Sequence, residues 1–162
     1  MAEVAALVRA LAERHETVSV AESLTGGLLA ATLVEIPGVS AVFRGGLVVY
    51  ATELKHTLAG VPQRLLDERG PVDPEVAVAL AAGVRERCGS DWGLATTGVA
   101  GPEPQDGKPV GMVFIAVAGP RGARFRELSL AGSRAEIRAA SVTCVLSLLA
   151  AELSGSPPGI RG

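Results

Sequence analysis

Hydrophobic and polar positions along the chain switch repeatedly between the spacing of helices and that of strands. Val4, Leu7, Val8 and Leu11 recur at intervals of three and four residues, which predicts an amphipathic helix at the start of the chain. Further helices are predicted over 28–36, from Thr52, from Pro62, over 74–88 and from Ser133. Short apolar or alternating runs predict strands over 17–21, 42–43, 47–50, 92–97, 110–118 and 124–130.

This alternation of strands and helices predicts a three-layer α/β/α sandwich, with helices on both faces of one sheet. The turn at 119–122 joins two strands directly, so at least one pair is antiparallel and the sheet is mixed. The alternation slips near Glu127, which indicates a β-bulge or the end of a strand.

Several helix starts carry capping signals. Asp73 precedes a proline and is expected to cap the middle helix, because Pro is preferred at the first helical position. Ser133 and Glu136 have the spacing of a capping box at the start of the last helix. Thr52 is expected to cap the short helix that carries Lys55.

Length and charge narrow the class of protein. With 162 residues the chain is expected to form one domain over 1–153, and 154–162, with its two adjacent prolines, is predicted to be a flexible tail. The net charge of -2 and the pI of about 5.7 lack the basic footprint of nucleic-acid binding. We therefore expect no nucleic-acid partner.

The same composition predicts a cytoplasmic protein without a membrane partner. The apolar runs stop short of the ~20 residues of a membrane span, and the first residues lack a signal-peptide core. Cys88 and Cys144 lie far apart without a partner motif, so both are interpreted as reduced, buried thiols. No His, Cys or carboxylate cluster has metal-ligand spacing, so we expect no catalytic metal.

Lys55 and Tyr50 stand out by their rarity. Only two of the 15 Lys and Arg residues are lysines, and Tyr50 is the only tyrosine. Arg stays protonated in proteins, whereas a buried Lys can lose its proton and act as a base. Ser23 lies in a Gly-rich turn that could present its hydroxyl to such a base. These residues indicate nucleophilic catalysis, although a rare residue can also be rare by chance.

Three predicted loops leave the carboxyl ends of strands, where ligands bind in open α/β sheets. Their candidate ligand-binding residues are Glu22, Ser23, Thr25, Gly26 and Gly27 in the first loop, Tyr50 and Lys55 in the second, and Thr97, Gly98 and Gly101 in the third. Free backbone N–H groups in the Gly-rich loops could bind a phosphate or an oxyanion. Alternatively, the glycines only permit tight turns.

Each candidate side chain also has an ordinary structural interpretation. Ser23 could cap a helix, Lys55 could be a solvated helix residue, and Tyr50 could be a strand-end aromatic with a wet hydroxyl. Glu22 could orient a ligand or merely complement the positive start of a helix. Arg134 and the arginine one turn later could bind an anionic substrate or pair with surface carboxylates.

Six segments, in order, resemble the CinA C-terminal family. They are AESLTGG at 21–27, GVSAVFRGGLVVY at 38–50 with Lys55 beyond it, GPV at 70–72, TGVAGP at 97–102, KPVG at 108–111 and GSR at 132–134. The resemblance covers roughly residues 3–152. It implies a fold of the anticodon-binding-domain type, often assembled as a homodimer.

The resemblance also implies an activity. The family includes stand-alone nicotinamide-nucleotide amidases, which hydrolyse nicotinamide mononucleotide (NMN) to nicotinate mononucleotide and ammonia in pyridine nucleotide salvage. Carried over to this chain, Ser23 would be the nucleophile, Lys55 its general base and Tyr50 a proton relay or orienting hydroxyl. Ser40 also matches a family position and is the second choice of nucleophile. No cofactor is expected.

The resemblance also implies which residues bind the substrate. These are Glu22, Thr25, Gly26, Gly27, Ser40, Thr97, Gly98, Gly101 and Arg134. The chain departs from the family pattern at Ala51, Pro71 and Asp73, and in the loop 103–107, where a glycine pair is usual. The alternative to an amidase is a non-catalytic nucleotide-binding module, or an interaction module associated with competence or DNA damage.

Overall fold

The computed structural model describes residues 1–155, which form five strands and six α-helices around one sheet. In chain order the elements are α1 (Ala2–Arg14), β1 (Val18–Glu22), α2 (Leu28–Val34), a 3-10 turn (Val39–Ala41), β2 (Phe43–Val48), α3 (Thr52–Thr57), α4 (Gln63–Arg69), α5 (Pro74–Cys88), β3 (Trp92–Gly98), β4 (Met112–Gly119), β5 (Gly122–Ser129) and α6 (Arg134–Ser154).

The sheet is mixed, as the sequence predicts. Its strand order is β2-β1-β3-β4-β5, with β1 parallel to both β2 and β3. Strand β4 runs antiparallel to β3 and β5, and the hairpin between β4 and β5 is the turn predicted at 119–122. The carboxyl ends of β1, β2 and β3 therefore meet at one edge of the sheet.

Helices cover both faces of the sheet and define two apolar cores. Because successive side chains of a strand point to opposite faces, β1 contributes Val18 and Val20 to one core and Ala21 to the other. The first core is completed by α1, α2 and α6, and the second by α4 and α5. The three-layer α/β/α architecture is thereby confirmed.

Two of the three predicted caps form. The Asp73 carboxylate accepts from the backbone N–H groups of Glu75 and Val76, at 2.8 and 3.4 Å. The Ser133 capping box is present in both directions. The prediction for Thr52 is wrong, because Thr52 is already the first helical residue and Ala51, which has no polar side chain, occupies the cap position.

Two strand predictions need correction. The runs at 42–43 and 47–50 belong to one strand, β2, which continues through the glycine pair at 45–46 and ends before Tyr50. A Cβ on Gly46 would lie 2.6 Å from the carbonyl oxygen of Val20, so this glycine serves close strand packing rather than a turn. Strand β5 pairs regularly with β4 through Glu127, without the predicted bulge. Its irregular alternation reflects an edge strand that is exposed on both faces.

Helix α6 is the longest helix of the described residues and is largely apolar. Its 21 residues are long and apolar enough, by length and composition alone, to cross a membrane. Polar residues such as Ser141, Thr143 and Ser147 break its apolar runs well short of ~20 residues, as the sequence predicts, and the absence of a membrane partner stays a prediction. In the fold, α6 packs against β3, β4, α1 and α2, as a core helix does.

The ends and the thiols require smaller corrections. Ser154 is the last residue of α6, so the helix continues one residue past the predicted domain boundary. Residues 156–162 of the predicted tail lie outside the described residues. Cys88 and Cys144 are free thiols, but each is half-buried rather than fully buried.

Candidate active site

Three loops at the carboxyl edge of the sheet surround one cavity. Register places Glu22, the last residue of β1, between Val48 of β2 and Thr96 of β3, so the loops that follow these strands are neighbours. The cavity has a volume of about 270 Å³. The predicted site residues that line it are Ser23, Tyr50, Lys55, Thr97, Gly98, Gly101 and Arg134.

The Lys55 ammonium group lies next to the Ser23 hydroxyl. Lys55 Nζ is 3.0 Å from Ser23 Oγ, although the two residues are 32 positions apart in the chain. Only 1% of Lys55 is exposed, and Ser23 is 8% exposed. Helix α3 therefore directs its lysine inward, away from water and toward the turn after β1, which excludes the interpretation of Lys55 as a solvated helix residue.

Burial lowers the pKa of Lys55 from 10.5 to about 8, because the charged ammonium loses its hydration, while the nearby Glu53 carboxylate opposes the change by raising the pKa. A lysine whose pKa lies near neutrality can exchange protons at physiological pH.

Both the charged and the neutral form of Lys55 can use its three hydrogen-bond partners. The backbone carbonyl oxygens of Val49 and Tyr50 accept from Nζ at 2.7 and 3.3 Å. Carbonyls can only accept, so they use two N–H bonds of the amine. As an ammonium, Lys55 also donates to the third partner, Ser23 Oγ; once the amine is neutral, its lone pair faces that hydroxyl, which can then donate to it. The geometry thus allows Lys55 to accept the Ser23 proton.

The backbone of Ser23 is held on both sides. Its N–H donates to the carbonyl oxygen of Thr96 in β3 at 3.0 Å, and its carbonyl accepts from the N–H of Gly26 at 3.1 Å. Gly26 and Gly27 have φ values of 56° and 103°, in the left-handed region that favours glycine. The two glycines therefore turn the chain sharply from β1 into α2, which leaves Ser23 at the strand end beside Lys55.

Glu22 and Thr25 have structural contacts and lie outside the cavity lining. Glu22 is fully buried, and its two carboxylate oxygens accept from the N–H groups of Leu29 and Ala30, at 2.8 and 3.0 Å. Of the two interpretations of Glu22, the structure supports the complement to the helix start and not the ligand contact. The hydroxyl of Thr25 pairs with that of Thr96 at 2.8 Å, which ties the turn to β3.

Of the glycines and the serine predicted to bind substrate, the fold places only some at the cavity. Gly98 and Gly101 line the cavity, whereas Gly26 and Gly27 shape the turn behind Ser23 and are not part of the lining. Ser40 lies in the 3-10 turn before β2, and that end of β2 pairs with the start of β1. At ~3.3 Å per residue, the length of β1 separates it from Ser23 by roughly 15 Å. Ser40 is thus wrong as an alternative nucleophile for this cavity.

Tyr50 and Arg134 meet at the mouth of the cavity. Arg134 donates to the Tyr50 hydroxyl at 3.1 Å and to the carbonyl oxygen of Gly101. Tyr50 is 60% exposed, and its contact with Lys55 is made by its carbonyl oxygen rather than by its hydroxyl. The Thr97 hydroxyl donates to the carbonyl oxygen of Pro71 at 2.7 Å, which ties the end of β3 to the segment between α4 and α5.

Sequence reasoning missed several residues of this site. The carbonyl groups of Val49 and Tyr50 hold the lysine, but backbone acceptors leave no signal in a sequence. Glu103 and Gln105 line the cavity from the loop that departs from the family pattern, and that departure was the available signal. Within residues 1–155, no group of three His, Cys, Asp or Glu side chains is arranged to hold a metal ion.

Fold and site together define a class: a three-layer α/β protein whose serine and buried lysine share a cavity at the carboxyl edge of the sheet. A sequence model of the CinA C-terminal domain matches residues 2–153. The chain belongs to this family.

The names of similar curated proteins are consistent with this family. A CinA-like protein from Frankia casuarinae is 52% identical over 147 residues, which cover 91% of this chain and 34% of that protein. A putative competence-damage inducible protein from Desulforamulus reducens is 45% identical over 139 residues, covering 86% of this chain and 34% of that protein. The chain therefore spans about a third of the length of these curated relatives.

Solved structures match nearly end to end. The competence/damage inducible protein CihA from Agrobacterium tumefaciens has a TM-score of 0.86 at 35% identity and covers 94% of this chain and 96% of its own. A CinA superfamily protein from Klebsiella pneumoniae has a TM-score of 0.92 at 27% identity, with 96% and 98% covered. One from Escherichia coli has a TM-score of 0.88 at 30% identity, with 91% and 87% covered.

Proposed function

We propose that this chain is an amidohydrolase that converts nicotinamide mononucleotide to nicotinate mononucleotide and ammonia. The observation that carries the proposal is the 3.0 Å contact between Ser23 Oγ and Lys55 Nζ at the base of the cavity. A serine activated by a neutral lysine is a nucleophile suited to the carbonyl carbon of an amide. Membership of the CinA family, which includes amidases, supports this reaction class.

In the proposed reaction, Ser23 Oγ attacks the carboxamide carbon while its proton moves to Lys55 Nζ. The tetrahedral intermediate collapses as the C–N bond breaks, and Lys55 returns the proton to the leaving nitrogen, which departs as ammonia. Lys55 then takes a proton from water, whose oxygen attacks the acyl carbon. Cleavage of the ester returns that proton to Ser23 Oγ and releases a carboxylic acid, whose remaining proton passes to the ammonia, so protons balance over the cycle.

The rim of the cavity suits an anionic nucleotide. Arg134 is an exposed guanidinium at the mouth, held by Tyr50 and by the third loop. A guanidinium presents paired N–H donors that match the geometry of a phosphate. We propose that Arg134 contacts the substrate phosphate, with Gly98 and Gly101 allowing close approach of the third loop. The pyridine carboxamide then extends inward to Ser23.

The test is ammonia release from nicotinamide mononucleotide by the purified protein and by its Ser23→Ala variant, without added metal. We expect release by the parent and a loss of about a thousandfold or more in the variant, since removal of a nucleophile leaves only the residual effect of the binding site. The Ser40→Ala variant is the matched control and should keep parental activity.

The outcomes separate the rival functions. Equal release by the parent and the Ser23→Ala variant would disprove the acyl-enzyme mechanism. Saturable nucleotide binding without any ammonia release would favour the non-catalytic binding module instead.

A further inference from the structure

The first two turns of α6 connect all three loops of the site. Arg134 contacts the second and third loops through Tyr50 and Gly101. Arg138, one turn later, reaches the first loop: its Nε donates to the carbonyl oxygen of Leu24 at 3.0 Å, and its Nη2 donates to that of Thr25 at 2.9 Å. Arg138 is half-buried and is not part of the cavity lining.

These two carbonyls belong to the Leu24–Thr25 and Thr25–Gly26 peptide units, which begin one residue after Ser23. In a trans peptide the C=O and N–H bonds point in opposite directions. Arg138 therefore turns the N–H groups of Thr25 and Gly26 away from α6. The N–H of Gly26 closes the turn by donating to the Ser23 carbonyl at 3.1 Å. The guanidinium thus fixes the Leu24–Thr25 and Thr25–Gly26 peptide planes, and the second of these supplies the N–H that holds the Ser23 carbonyl.

The turn has few other attachments on that side. The N–H of Ser23 is bound to β3, and the Thr25 hydroxyl is bound to Thr96, also in β3. The carbonyl of Thr25 accepts in addition from the N–H of Leu28 at the start of α2. Of the described residues of α6, Arg138 holds the turn with two hydrogen bonds, one to each of two successive carbonyls.

We propose that Arg138 is a positioning residue for the amide hydrolysis: it holds the 23–26 turn so that Ser23 Oγ stays within hydrogen-bond distance of Lys55 Nζ. The inference rests on the proposed function. Arg138 acts through the turn: it contacts the backbone of Leu24, which lines the cavity, but it does not contact Lys55 and is not itself part of the lining. Its loss should therefore lower the rate of the chemical step while leaving substrate affinity and the proton equilibrium of Lys55 intact.

A lysine cannot replace this arginine. Its ammonium group is a point charge on a flexible stem and does not present two coplanar donors to two successive carbonyls. Displacement of a reacting group by ~1 Å can cost about a hundredfold in rate. We expect kcat for ammonia release to fall by about ten- to a hundredfold in both Arg138→Lys and Arg138→Ala. KM should change by less than about twofold, because uniform substrate binding is untouched.

Two further measurements separate positioning from general damage to the fold. The midpoint of the pH–rate profile should stay at the parental value in both variants, since burial and the Glu53 carboxylate, which set the pKa of Lys55, are unchanged. Added guanidinium ion, but not an equal concentration of sodium chloride, should restore part of kcat in Arg138→Ala by occupying the vacated space. The matched control is Arg124→Ala, which removes an exposed arginine paired with Glu152 near the far end of α6, 3.8 Å apart.

Parental kcat in a folded Arg138→Lys variant would overturn the inference while leaving the proposed function standing. A rise in KM of about ten- to a hundredfold with no change in kcat would also overturn the inference, because Arg138 would then bind substrate. If Arg138→Ala fails to fold, Arg138→Lys supplies the kinetic comparison. A parent without ammonia release would refute the proposed function itself, which is a separate result.

Discussion

The proposed chemistry depends on the protonation of one side chain, Lys55. Its rarity in an arginine-rich sequence was the signal that the residue has a specific task. The structure adds the reason: only an amine that gives up its charge satisfies two carbonyl acceptors and still accepts from Ser23. An arginine would remain a cation and could not act as the base.

The first prediction at this scale concerns pH. The pKa of Lys55 is lowered to about 8, and the base must be neutral, so kcat/KM should rise with pH and level off above about 8. Well below that pH, each further unit of acidity should reduce kcat/KM about tenfold, as the neutral fraction falls. The measurement is the pH dependence of ammonia release under saturating and subsaturating substrate.

A paired substitution assigns that profile to Lys55. Lys55→Arg should lower kcat by at least about a hundredfold, the scale of general-base catalysis. His56→Gln is the control, since the His56 ring is engaged with the carbonyl oxygen of Val61 at 2.7 Å and the profile should keep its midpoint. A pH–rate midpoint that moves in the His56→Gln variant would contradict the assignment of the profile to Lys55.

At the scale of elements, the turn from β1 into α2 combines three devices in a few residues. Glu22 places a buried carboxylate under the first N–H groups of α2, which have no partner within the helix. The glycines at 26 and 27 allow the reversal, and Arg138 binds the carbonyls from the other side. Ser23 is consequently positioned by its surroundings rather than by its own side-chain contacts alone.

The prediction at this scale is that Glu22→Gln destabilises the protein by roughly 1.5–3 kcal/mol, the range for hydrogen bonds to a charged group. Both carboxylate oxygens accept, and an amide can replace only one of them. Its NH₂ group would then face a backbone N–H donor. Urea unfolding of parent and variant measures the change.

The matched control lies at the other end of the same helix. Glu35 is exposed at the C-cap of α2, where a negative charge opposes the helix dipole. Glu35→Gln should therefore leave stability unchanged or raise it slightly. A Glu22→Gln variant as stable as the parent would show that the buried carboxylate does not support α2.

At the scale of the whole molecule, a nearly fully buried lysine reduces stability. The pKa of Lys55 falls from 10.5 to about 8, so between these pH values the unfolded chain binds more protons than the folded one. The contribution of Lys55 to the free energy of unfolding is therefore lowest below about pH 8, and it increases as pH rises toward 10.5. At ~1.4 kcal/mol for each tenfold change in proton affinity, the whole effect is about 3 kcal/mol.

The corresponding prediction compares the parent with Lys55→Met, which fills similar space without a charge. The free energy of unfolding of the variant minus that of the parent should decrease by about 3 kcal/mol as pH rises from 8 to 10.5. Other titrating groups are common to both proteins and cancel in the difference. A difference that stays constant across this range would show that Lys55 is not perturbed by folding.

The homodimer implied by the family resemblance and the cytoplasmic location expected from the composition stay predictions at this scale. The edge strand β5 carries arginines on its exposed surface, and charged residues on an edge discourage strand-to-strand association. We therefore do not assign a dimer interface to that edge.

Local patterns determined the elements and their order. Hydrophobic spacing predicted α1, α5 and α6, and the turn at 119–122 predicted the β4–β5 hairpin, because these features depend on neighbours within a few residues. The capping signals at Asp73 and Ser133 succeeded for the same reason. The Gly-rich motif and the isolated lysine marked Ser23 and Lys55 before their distance was known.

The tertiary structure decided how distant residues meet. Strand order alone brings Lys55 to Ser23 across 32 residues and leaves Ser40 at the opposite end of β1. It also decided that Glu22 supports a helix, that Gly46 of β2 admits a neighbouring strand, and that Arg138 holds the turn of Ser23. Sequence periodicity cannot express these pairings, because they depend on which strands lie side by side and on backbone groups that every residue shares.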